Sequence, residues 1–88
     1  MSKQDIDELV ESLTRDRDEL RLQFHLFKSE VRDEWAEVEK KWANFHRQAS
    51  VTSAAAGEAA GEIGAAVRLL GEETRAGYRK IRGSLKAP

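Results

Sequence analysis

The sequence predicts an all-α fold, an antiparallel hairpin of two long amphipathic helices that pairs with a second copy as a dimeric four-helix bundle. Three observations carry this expectation. Residues 1–56 contain neither Gly nor Pro, two apolar rows recur at steps of three and four, and all six glycines fall in the second helix. Steps of three and four place side chains on one face of an α-helix.

The first row runs through Leu9, Leu13, Leu20, Phe24, Phe27, Val31, Trp35, Val38, Trp42 and Phe45, which predicts a helix over residues 3–48. Within it, L-R-L-Q-F-H-L-F-K at 20–28 alternates apolar and polar residues as a strand does. The uninterrupted helical spacing on both sides outweighs that alternation, and Leu22 and Leu26 then lie on the outer face. From Phe24 to Trp42 the steps are 3, 4, 4, 3, 4. This eleven-residue spacing relaxes the left-handed supercoil of a heptad pattern and favours nearly straight rods.

The uncharged stretch Gln48-Ala49-Ser50-Val51-Thr52-Ser53 predicts a turn at 49–53, with Ser50, Thr52 and Ser53 available as caps. A second helix over 53–86 follows, with its row at Ala56, Ala60, Ile63, Val67, Leu70, Thr74, Tyr78, Ile81 and Leu85. Its steps from 67 to 85 are again 3, 4, 4, 3, 4, so the two rows can pack along their lengths. Each glycine in that helix costs about 1 kcal/mol relative to Ala. Close approach of the bulky rings of the first helix is the expected compensation. Gly57-x-x-x-Gly61 does not read as a membrane dimerisation motif, because Glu58 and Glu62 accompany it and the apolar length is missing.

A rod of 46 residues spans about 70 Å and its partner about 50 Å. The shorter helix leaves Ile6, Leu9, Val10 and Leu13 without cover, which is the argument for a second copy in a chain too short to hold a large core. The interface is expected at Leu9, Leu13, Leu22, Phe24, Leu26 and Trp35.

Residues 1–19 carry seven acidic and three basic side chains, whereas 68–86 carry two acidic and six basic ones. At about 100° per residue, Arg68, Arg75, Arg79 and Arg82 share one flank of the second helix. The matching flank of the first holds Lys3, Arg17, Arg21, Lys28 and Arg32. In an antiparallel pair like flanks meet, giving a basic edge open to another copy, an anionic membrane, a phosphate backbone or an acidic protein.

The chain has no cysteine, and its formal net charge is −1 with 35% charged residues. Disulfides and thiolate metal cages are therefore excluded, and a general nucleic-acid binder is disfavoured. The start lacks a signal-peptide core, so the cytoplasm is the expected compartment. His25 and His46 have Leu22 and Ala43 where a carboxylate-bridged iron site needs Glu, and no phosphate loop, zinc spacing or catalytic triad is present. No cofactor and no metal are expected. The function expected first is a non-catalytic, self-associating interaction or adaptor protein that presents apolar and charged surfaces to protein partners. A peripheral amphipathic-helix coat on an anionic membrane or granule surface is the second reading. A nucleic-acid accessory protein comes third.

Overall fold

What reads as one long helix is two. A computed structural model describes residues 3–54 and 62–86. Helix α1 (Lys3–Leu22) is followed by a 3₁₀ turn (Phe24–Leu26), α2 (Ser29–Ala54) and α3 (Glu62–Lys86). The result is a three-helix bundle instead of a two-helix hairpin. Leu9 and Phe45 both approach Gly71, while Arg17 meets Glu39 and Arg82 meets Glu19. These pairs set α1 parallel to α3 and α2 antiparallel to both. The described residues measure 46 × 17 × 17 Å, well short of a 70 Å rod.

The break falls within the alternating stretch and needs neither Gly nor Pro. Its backbone groups are paired locally. Gln23 N–H donates to the Leu20 carbonyl at 3.0 Å, Leu26 N–H to Gln23 at 2.8 Å, and Phe27 N–H to Phe24 at 3.0 Å. Phe27 is extended, with φ −75° and ψ 130°, and its ring is buried. The Lys28 carbonyl then accepts from Arg32 N–H at 2.9 Å, opening α2. Aromatic rings hold the corner: Phe24 and Phe27 lie 5.2 Å apart, and Phe27 is 5.9 Å from Trp35.

Burial accounts for the break. Folding α1 back covers Ile6, Leu13 and Leu20, all at 0–1% exposure. Burying each of three large aliphatic side chains contributes about 1.5–3 kcal/mol. The few helical hydrogen bonds given up are worth about 0.5–1.5 kcal/mol each, and the turn replaces several. The buried residues of α1 stand seven apart, a narrow stripe suited to lying against a pair. In α2 the buried row is continuous from Val31 through Trp35, Val38, Trp42, Phe45 and Ala49 to Thr52, and α3 supplies Val67, Thr74, Tyr78 and Ile81.

The expected turn at 49–53 is also corrected, since these residues are the last turns of α2. Thr52 caps nothing there. It is buried, and its hydroxyl donates to the Gln48 carbonyl at 2.7 Å. Residues 53 and 54, expected to open the second helix, belong to α2, and the described part of that helix is α3, Glu62–Lys86. Ala56, Gly57, Ala60 and Gly61 lie outside the described residues. Ile63 departs from its expected row, being 62% exposed.

The expected facing of bulky rings with glycines holds at Gly71 alone, while Gly77 faces a valine. A methyl at Gly71 would approach Phe45 at 3.1 Å and Leu9 at 2.8 Å, and one at Gly77 would collide with the Val38 side chain. Gly83 meets nothing within 4 Å, so packing does not explain it.

Candidate interaction site

The α1–α2 corner and the last turn of α3 form one end of the bundle, the turn pole. Six apolar positions were candidates for an interface, and the fold divides them. Leu13 and Trp35 are buried within one chain, and Leu9 packs partly buried against the same core. Leu22, Phe24 and Leu26 remain exposed, at 78%, 37% and 60%. Leu22 and Leu26 keep the outward setting that their spacing predicts, and Phe24, expected in the inward row, joins them because it falls in the 3₁₀ turn. Phe24 also packs beneath the Arg32 guanidinium, 5.2 Å from its ring centre.

Beside the turn, an open groove of about 800 Å³ runs between the start of α2 and the end of α3. Leu26, Val31 and Leu85 supply its apolar part, Lys28, Arg82 and Lys86 its basic part, and Glu30 and Glu34 also line it. One Glu34 carboxylate oxygen faces Lys80 at 3.6 Å, while the other is buried with no hydrogen-bond partner. A shallower groove of about 450 Å³ follows the outer side of α1 from Val10 to Leu22.

The four arginines expected as a basic edge do not form a row of free charges. Arg68 pairs with Glu72 at 3.2 Å along its own helix. Arg75 donates to the Ser12 hydroxyl at 2.9 Å, and Arg82 lies 3.4 Å from Glu19 and 3.9 Å from Asp16. Arg79 is exposed. The expected like-charged edge is thus replaced by attraction, because breaking the first helix brings the acidic side of α1 beside α3 in a parallel arrangement.

A contact between α1 and α2 went unforeseen. Arg17 makes a bidentate pair with Glu39, both bonds 2.8 Å, and stacks over Trp42 at 5.3 Å. The hydrogen bond to Glu39 raises the Arg17 pKa against the opposing effect of desolvation. The two residues are 22 positions apart, so only the reversal at the corner unites them. His46 packs beside Trp42, their ring centres 5.2 Å apart. Tyr78 lies in the core with its hydroxyl unpartnered, and burial pushes its pKa upward. Among the described residues, no group of three or more His, Asp or Glu side chains is placed to hold a metal ion, and no helix is long and apolar enough to cross a membrane.

Comparison with protein-family models, curated proteins and solved structures gives no significant match. The geometry of the pole is therefore the basis for a functional reading.

Proposed function

We propose that this chain is a non-catalytic interaction protein, a closed helical bundle that acts by presenting its turn pole to partners. The observation that carries the reading is the exposure of Leu22 and Leu26 side by side with a basic groove; Val51, Ile63 and Leu69 are also exposed, at 60–62%, but line no groove with basic side chains among the described residues. Apolar side chains grouped at one pole and flanked by charges are the usual composition of a contact surface. A photoreactive residue at Gln23, in the exposed turn, tests this in an extract of the source cells. Adducts should form there and not from the same group at Lys41, on the exposed side of α2, and Leu22→Ser/Leu26→Ser should abolish them. Equal labelling at both positions contradicts the proposal.

Self-association is a second reading. Burial of Ile6 and Leu13 within one chain, with Leu9 and Val10 packed partly buried against the same core, weakens the reason to dimerise. What favours it is the groove along α1, where Val10 and Leu22 offer a lengthwise contact to another copy. Light scattering across a hundredfold concentration range decides it: a rise in mass that Leu22→Ser suppresses supports side-by-side pairing, and constant monomer mass rejects it.

A further inference from the structure

Resting on the reading of the pole as the contact surface, we infer that its occupant is an anionic lipid surface, with Leu22 and Leu26 entering the interfacial layer and Arg21, Lys28 and Lys86 meeting headgroup phosphates. Two observations single out this occupant.

The first is area. The bundle is only 17 Å across in each short direction. With side chains, such an end offers roughly 300–500 Å² to a second copy placed end to end, short of the about 800 Å² per partner of a stable interface. A bilayer imposes no such threshold, because each apolar side chain entering the interfacial layer contributes separately.

The second is charge. Residues 18–34 and 79–86, which make up this third of the molecule, hold seven Lys and Arg against five Asp and Glu. The remaining described residues hold eight against ten. Of the five acids, Glu19 and Glu34 are engaged by Arg82 and Lys80. Asp18, Glu30 and Asp33 stay at the pole and weaken its positive field without reversing it. Arg21 flanks Leu22, and Lys28 and Lys86 line the groove beside Leu26. These three cations are exposed and make no ion pair among the described residues. A chain of net charge −1 thus turns its positive, apolar end toward a negative surface, and each Lys or Arg held near such a surface adds to binding.

This contact differs from an amphipathic helix lying flat on the membrane. The rows of all three helices are consumed by the core, so the bundle docks closed and its helicity does not change on binding.

The test is flotation of the intact chain with phosphatidylcholine vesicles, with and without phosphatidylserine, at low and physiological salt. Binding should require phosphatidylserine and weaken with salt, with an unchanged far-ultraviolet circular dichroism spectrum. Leu22→Ser/Leu26→Ser and, separately, Lys28→Glu/Lys86→Glu should each reduce partitioning at least about tenfold. Both pairs are exposed, and circular dichroism of the free variants verifies their folding. Absence of binding, equal binding to neutral vesicles, or binding that survives both substitutions overturns the inference. If lipid binding fails while Gln23 still gives protein adducts that depend on Leu22 and Leu26, only the lipid inference falls. If neither occurs, the reading of the pole falls with it.

Discussion

The middle of the bundle and its turn pole are built from the same residue types to opposite effect. At the middle, Val38 fills the space left by Gly77, Tyr78 lies 6.2 Å from Trp35, and Arg17 closes over Trp42 while holding Glu39. At the pole, Phe27 turns inward but Leu22 and Leu26 turn outward, and a groove stays open beside them. The difference teaches that stability and recognition are separable here. Substitutions at the middle should change the free energy of unfolding, whereas those at the pole should change binding alone.

The largest expected effect is at Leu20, the last buried residue of α1 before the corner. Leu20→Ala should cost about 2–5 kcal/mol, by lost transfer energy and the cavity left behind, read from urea unfolding. Two glycines sharpen the contrast within α3. Gly77→Ala gains about 1 kcal/mol of helix propensity but overpacks against Val38 by about 1–3 kcal/mol, so a net loss is expected. Gly83→Ala, with open space around it, should instead stabilise by about 0.5–1 kcal/mol.

Tyr78 gives a smaller and pH-dependent effect. Its unpartnered hydroxyl makes Tyr78→Phe neutral or stabilising by up to about 1 kcal/mol at neutral pH. Because burial raises the folded-state pKa, the unfolded chain releases the phenolic proton first. The stability contributed by keeping Tyr78 protonated is full below the ordinary tyrosine value of about 10 and declines as pH rises above it. Tyr78→Phe should remove that part of the alkaline loss, measured as the change in unfolding midpoint between neutral and alkaline pH. The smallest effect on stability is expected for Leu22→Ser/Leu26→Ser, within about 0.5 kcal/mol, although it is the pair whose loss should abolish pole contacts.

Much of the architecture was legible in the residues. The helical class, the inward row from Phe27 to Phe45, the outward setting of Leu22 and Leu26, and the facing of a bulky ring with Gly71 all follow from spacing and size. The corner at 23–28 did not. No Gly or Pro marks it, and local preference favours continuing the helix. Burial of Ile6, Leu13 and Leu20 decides the matter, and that gain exists only once three helices are together. The alternation in L-R-L-Q-F-H-L-F-K was the local sign, outweighed because the neighbouring steps fit a helix equally well. The same omission carried into the charges. An unbroken helix sets like flanks together, whereas the corner places Arg75 and Arg82 beside Ser12, Asp16 and Glu19. The end of α2 was misplaced for a related reason: Ser50 and Thr52 resemble caps, yet Thr52 satisfies its hydroxyl within the helix and lies buried.

Everything at the pole depends on the reversal of the chain between Leu22 and Ser29. Spin labels on cysteines replacing Arg15 and Lys41, two exposed residues near the Arg17–Glu39 pair, measure it most directly by pulsed dipolar spectroscopy in spin-diluted samples. The bundle predicts a main distance below about 30 Å, whereas an unbroken helix holds these positions about 39 Å apart. A single population near the longer distance would contradict the reversal, and with it the exposed pole.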